Sequence, residues 1–189
     1  MISFIKQFVL YPYRTGAVIS SSKSLAELIT SVSNLSKAKA VVELGPGDGA
    51  FTEEILKKKP RRTKFFAIEI NPHFASVVKR KFPKVKVYRG SAAKIKKYLK
   101  KHRASHCDCI ISGLPWASFD RKKQARLLKP IRESLGPKGE FLTFAYIHNK
   151  IWQPGVTFSR LLEKSFSRVR KTRIVWDNFP PAFVYHCRK

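Results

Sequence analysis

The stretch Ala40-Val41-Val42-Glu43-Leu44-Gly45-Pro46-Gly47-Asp48-Gly49 limits what this chain can fold into more than any other segment. Its first half is a short apolar run of strand length, and its second half cannot stay extended. Gly45 and Gly47 let the backbone turn tightly and approach a ligand, because no Cβ stands in the way. A second apolar run, Phe65-Phe66-Ala67-Ile68, ends on Glu69. A strand, a glycine turn, a helix and a second strand closed by an acid describe a nucleotide-binding βαβ unit, in which the acid takes the hydroxyls of a ribose.

Two cofactors compete for such a loop. Gly45-x-Gly47-x-x-Ala50 is a literal match to the dinucleotide fingerprint, so NAD has to be weighed. The acids oppose it. Glu43 and Asp48 flank the glycines, and a pyrophosphate would meet two carboxylates. S-adenosylmethionine brings an ammonium and a sulfonium, and nearby acids attract both. The loop therefore favours the methyl donor.

The chain has 189 residues and 43% apolar side chains, enough for one domain with a sizeable core. Lysine and arginine number 39 against 12 acids, so the net charge is 39 − 12 = +27. A field of that sign points to polyanionic partners, either nucleic acid or an anionic membrane surface. The basic residues are spread along the chain, so the charge alone marks no single site. The three cysteines, Cys107, Cys109 and Cys187, show no disulfide framework and suit a reducing compartment. His102, His106, Cys107 and Cys109 match no common zinc spacing, so no metal is expected. No apolar run approaches the roughly 18 residues of a membrane span. The first ten residues make a poor signal peptide, with no small-residue cleavage site behind them.

Residues 22–33 read as a helix with Leu25, Leu28, Ile29 and Val32 on one face. Strands are expected at 40–44, 64–70, 84–89, 107–112 and 139–145. Helices are expected near 51–58, 72–81, 91–102, 118–134 and 157–165. That alternation argues for a parallel sheet covered by helices on both faces. The tail breaks the rhythm: 168–176 and 182–187 are joined by Asn178-Phe179-Pro180-Pro181, with no helix between, as in an antiparallel hairpin.

From about residue 22 onward, these units resemble the Rossmann-like α/β sheet of class I methyltransferases, seven strands, mostly parallel with a C-terminal antiparallel hairpin. The resemblance divides the chain into a lead segment, 1–21, and one methyltransferase domain, 22–189. Glu43 to Gly49 and Ala67-Ile68-Glu69-Ile70-Asn71 resemble both the ribosomal RNA adenine dimethyltransferases and the bacterial phospholipid N-methyltransferases of the soluble, membrane-associating type. The position after the fourth strand separates them. Adenine enzymes carry Asn or Asp there, and here Gly113 stands in Ser112-Gly113-Leu114-Pro115. That version, the lead segment 16–22 and the tail 176–185 are similar to the phospholipid group. The adenine enzymes also normally add a helical domain after the fifth strand, where only residues 146–189 remain. The resemblance implies a cofactor site of Glu43, Gly45, Gly47, Asp48, Glu69, Ile70, Ser91, Ala92, Gly113 and Leu114. Many relatives of both families carry Asp where Ser91 stands.

The function so implied is S-adenosylmethionine-dependent N-methylation of the amino head group of a membrane lipid, phosphatidylethanolamine-like, towards phosphatidylcholine. RNA adenine methylation and a non-catalytic basic binding module are the alternatives. Phe4, Ile5, Phe8 and Val9 fall on one face of a short helix, followed by Tyr11 and Tyr13 and flanked by Lys6 and Arg14. Such a segment lies in an anionic interface or packs over the cofactor cleft. The expected partners are an anionic phospholipid surface and the lipid amine, or RNA as the alternative polyanion. The expected protein is a cytoplasmic monomer, peripheral at the inner face of the membrane. An ammonium must lose a proton before it attacks. His148, just past the fifth strand, is the candidate base, with Tyr146 beside it. Trp116 is either a platform for the head group or a core aromatic.

Overall fold

The computed structural model describes residues 21–189, so the interfacial reading of Phe4, Phe8, Tyr11 and Tyr13 lies outside the described residues. Sheet formation follows from the apolar runs. β1 (Ala40–Leu44) is buried at every position, Glu43 included. β2 (Lys64–Glu69), β3 (Lys86–Arg89) and β4 (Cys107–Ser112) join it in parallel, as does β5 (Leu135–Tyr146). β7 (Ala182–Arg188) runs antiparallel between β5 and β6 (Arg168–Lys171). The order in the seven-stranded sheet is β3-β2-β1-β4-β5-β7-β6.

Side-chain alternation splits the core into two layers. Val41, Cys109 and Ile111 face one side, and Val42, Leu44, Cys107 and Ile110 face the other. The first side is covered by α1 (Lys23–Ser31), α2 (Ala50–Lys58) and α3 (Pro72–Lys81), through Leu25, Ile29, Phe51, Ile55 and Val78. The second is covered by α4 (Ile95–Lys101), α5 (Arg121–Ser134) and α6 (Gln153–Ser165), through Ile95, Leu127, Ile131, Phe158 and Leu162. Local chemistry fixes the helix starts. The Ser22 hydroxyl accepts from Leu25 N at 3.1 Å and the Asp120 carboxylate from Lys123 N at 2.7 Å, each filling a free first-turn N–H. Asn71 does the same for His73 N at 2.9 Å, ahead of Pro72 in the first turn.

Several boundaries differ from expectation. α6 begins at Gln153, one turn earlier than the expected 157, because Pro154 suits a first turn that needs no N–H from it. α5 starts at Arg121, and the residues before it form a short 3-10 turn, Trp116–Ser118. The expected helix 91–102 divides into a 3-10 turn, Ala92–Lys94, and α4. β5 reaches back to Leu135 through a register irregularity opposite Cys107 and Cys109. β6 is short, and the chain rejoins the sheet only at the Val175–Ala182 bridge. Asn178, 2% exposed, ties this connection down: its Oδ1 accepts from Ser22 N at 2.9 Å. The three cysteines are buried free thiols.

Candidate active site

Strand order reverses between β1 and β4, where ligands of open α/β sheets settle beyond the strand ends. The backbone there is shaped by glycine. Gly45 and Gly47 have φ of +69° and +57°, a left-handed region that a side chain resists. A Cβ on Gly45 would stand 2.9 Å from Leu114 Cδ2, and one on Gly113 would stand 2.4 Å from the Gly45 carbonyl oxygen. The loops after β1 and β4 therefore touch backbone to backbone. A Cβ on Gly47 would meet nothing within 4 Å, so that turn faces open space.

A cavity opens over this crevice, lined by Gly45, Gly47, Asp48, Glu69, Gly113 and Leu114 on one side. Phe144, Tyr146, Asn149, Trp152, Phe158 and Tyr185 are among its other walls. Glu69 is 4% exposed, and its oxygens accept from Asn71 N at 2.8 Å and Gly47 N at 3.4 Å. Both contacts are with backbone donors, so the carboxylate keeps acceptor capacity for two ribose hydroxyls. An acid at a strand end beside a glycine turn with open space above it fits the nucleoside of S-adenosylmethionine.

Glu43 is placed differently from its expected role. It does not line the cavity; it lies fully buried beneath the loop, because β1 is covered on both faces. Oε2 accepts from the Thr52 hydroxyl at 2.7 Å, and Oε1 has no partner. Burial pushes the carboxyl up to about 8 against the lowering effect of the Thr52 bond, and the Glu69 and Asp48 charges add to the rise. Near neutral pH Glu43 is therefore mostly uncharged, and the acids that face a cationic ligand are Asp48 and Glu69.

Other expected site residues also lie off the wall. The Ser91 hydroxyl accepts from Ala93 N at 3.2 Å, Ala92 is buried, and neither lines the cavity. Ile70 is 63% exposed and does not line the cavity. Trp116 lines the cavity but is buried. Its ring stacks on Phe158 with centroids 4.5 Å apart, and its Nε1 donates to Ser112 Oγ at 3.1 Å. Trp116 thus packs in the core and still forms part of the cavity lining, as does Phe158.

Tyr146 reaches the wall and His148 does not, because the chain leaves β5 in a 3-10 turn, Ile147–Lys150. The two rings stack with centroids 5.6 Å apart. Burial lowers the His148 pKa and raises that of Tyr146, so near neutral pH both are uncharged. The turn also brings in a residue that sequence reasoning missed. Asn149 is 8% exposed and lines the cavity, and its Oδ1 has no partner. A polar residue in an unassigned loop carries no sequence signal of that burial.

A seven-stranded sheet with a glycine turn and a strand-end acid at its switch point is the frame of a class I methyltransferase, and S-adenosylmethionine is its cofactor. The chain belongs to the ribosomal RNA adenine dimethylase family, which it matches over residues 15–172. It is similar to an ornithine lipid N-methyltransferase from Singulisphaera acidiphila, at 27% identity over 192 residues, covering 98% of this chain and 94% of that protein. It also resembles a ribosomal RNA small subunit methyltransferase A from Sulfurihydrogenibium, at 42% identity over 69 residues, but only 36% of this chain and 26% of that protein align. Among solved structures, an O-methyltransferase from Bacillus cereus in complex with SAH superposes with a TM-score of 0.70 at 12% identity, over 100% of this chain and 91% of that one. A putative rRNA-methylase from Clostridium thermocellum superposes at 0.66 with 15% identity, over 91% and 98%. At these identities the solved structures show the shared fold.

Proposed function

We propose that this methyltransferase acts on the primary amine of a membrane lipid, at the bilayer surface. The observation that carries this reading is Gly113. The resemblance to adenine enzymes implies a side-chain amide or acid at that position, and here even a Cβ would collide with Gly45 O at 2.4 Å. The chain's own backbone thus leaves no room for that adenine-reading group.

Two further observations support a lipid acceptor. The relative aligned over nearly the whole of both chains is an ornithine lipid N-methyltransferase. The large exposed apolar side chains among the described residues are Ile70, Ile151, Trp176 and Phe179, and all of them sit on loops at the cavity end of the sheet. Exposed Lys150, Lys171 and Arg173 stand on the same loops or at the adjoining strand end, with Asp177 opposing them. An apolar rim with basic neighbours suits an anionic bilayer.

The cofactor supplies an electrophilic methyl on a sulfonium. The protein's share is alignment, since an in-line displacement needs little else. Glu69 holds the ribose, Gly45 and Gly47 let the backbone approach, and Leu114, Tyr146 and Phe144 exclude water. An apolar wall also favours the neutral amine over the ammonium, so desolvation helps remove the proton that blocks attack.

The test is transfer of labelled methyl from S-adenosylmethionine. The acceptors are vesicles carrying phosphatidylethanolamine, vesicles carrying ornithine lipid, and ribosomal RNA. Label in either lipid is expected, and the two vesicle types separate the head groups. Label in N6-methyladenine with none in lipid overturns the proposal.

A further inference from the structure

The cavity divides by chemistry. Its two carboxylates, Asp48 and Glu69, stand on the cofactor side, and among the described residues the opposite wall carries neither a carboxylate nor a basic side chain. That wall is largely aromatic, with Phe144, Tyr146, Trp152, Phe158 and Tyr185. A cationic head group on that side therefore meets rings instead of a counter-ion.

Most of these rings are already engaged. Phe144 meets Phe51 edge to face at 5.9 Å, and Tyr146 stacks on His148 at 5.6 Å. Phe158 stacks on Trp116 at 4.5 Å and meets the Tyr185 ring edge to face at 6.2 Å. Trp152 differs. It lines the cavity, it is half-buried where Trp116, Phe158 and Tyr185 are buried, and among the described residues it meets no other ring and no cation. Its backbone fixes it in place. Trp152 N donates to the His148 carbonyl at 3.3 Å, and the Trp152 carbonyl accepts from Gly155 N at 2.9 Å and Val156 N at 3.0 Å. A Cβ on Gly155 would lie 2.2 Å from the Asn149 carbonyl oxygen, so α6 rests directly on the turn that precedes Trp152.

Methyl transfer moves positive charge from sulfur to nitrogen. The nitrogen lone pair forms the N–C bond as the S–C bond breaks, leaving a neutral thioether and a methylated ammonium. A further transfer follows only after that ammonium releases a proton to water. With each methyl group the head group loses an N–H that holds water and gains apolar surface. An aromatic face attracts such a cation, and attracts it more strongly once it is desolvated. We infer that the Trp152 indole is the platform for the methylated ammonium of the acceptor, an inference that rests on the amine-methylating reading above. The ring holds partly methylated lipid in the cavity for the next transfer, and its hold strengthens with each methyl group.

The experiment uses phosphatidylglycerol vesicles carrying unmethylated, monomethyl or dimethyl forms of the same lipid head group, with the wild type, Trp152→Leu and Trp152→Phe. Leu removes the ring and Phe keeps one, and neither touches the backbone bonds that place the residue. Trp152→Leu should raise KM for the dimethyl lipid at least about fivefold. It should leave the unmethylated lipid within about twofold and S-adenosylmethionine binding by calorimetry unchanged, and Trp152→Phe should keep most of the dimethyl activity. The charge is isolated by two inhibitors, the trimethylammonium lipid and its uncharged tert-butyl isostere. The preference of the wild type for the cation should drop at least about fivefold in Trp152→Leu and persist in Trp152→Phe. An equal KM rise on all three acceptors, lost cofactor binding, or an unchanged preference for the cation in Trp152→Leu overturns the inference while methylated lipid from the wild type upholds the lipid reading. Label from the wild type in RNA and none in lipid overturns both.

Discussion

Glu43 and Glu69 lie 26 positions apart in the chain and answer to different environments. Glu69 ends a strand at the cavity wall, so it is free to bind; Glu69→Ala should weaken S-adenosylmethionine binding by about 1–3 kcal/mol, read by calorimetry, through lost bonds to a charged acceptor. Glu43 sits inside β1 with its carboxyl pushed up to about 8. A raised folded-state pKa contributes stability below the ordinary carboxylate value, and that contribution is lost as pH rises toward about 8. Glu43→Gln keeps an acceptor for Thr52 and removes the titration. Relative to the variant, the wild type should lose about 3 kcal/mol between pH 5 and pH 8, seen in denaturant melts. Parallel curves would contradict the buried, protonated state. The place of Gly45, Gly47 and Glu69 at the cavity was legible in the sequence, because glycine spacing and a strand-end acid are local signals. The sequence did not show that Glu43 is buried away from the cavity wall, because which side of a buried strand faces a crevice depends on neighbouring strands.

The elements were legible where their signals were strong. The five parallel strands followed from apolar runs, and the reversal at the tail followed from two runs with no helix between them. Boundaries failed where the chain changed geometry without a capping side chain. Trp152 caps α6 with no side-chain bond, so the helix start at Gln153 carries no N-cap signature. The turn Ile147–Lys150 likewise moved His148 off the wall and put Asn149 on it. The α6 start can be probed at Gly155. Alanine normally stabilises a helix interior by about 1 kcal/mol over glycine. Here the collision with Asn149 should reverse the sign, costing about 1–3 kcal/mol by thermal melting and displacing Asn149. A stabilised Gly155→Ala protein would mean that the contact relaxes freely.

At the scale of the whole molecule, charge and apolar surface are arranged differently. Basic residues run along exposed helix surfaces, as on α5 with Arg121, Lys122, Lys123, Arg126, Lys129 and Arg132, and they give a long-range field. The large exposed apolar side chains gather at the cavity end. The field should draw the protein to anionic vesicles and fade with salt, while inserted side chains should hold it there. Full burial of an aromatic contributes about 1.5–3 kcal/mol. Trp176→Ser with Phe179→Ser should therefore reduce co-sedimentation with anionic vesicles even at low salt, and leave cofactor binding intact. Unchanged sedimentation would remove the rim from the docking surface. The acceptor itself is decided most directly by mass spectrometry of lipids and ribosomal RNA from cells with and without this gene expressed. Methylation of a lipid amine predicts new amine lipids heavier by one or more methyl groups and no change in adenine methylation. Unaltered lipids together with newly methylated ribosomal adenine would contradict it.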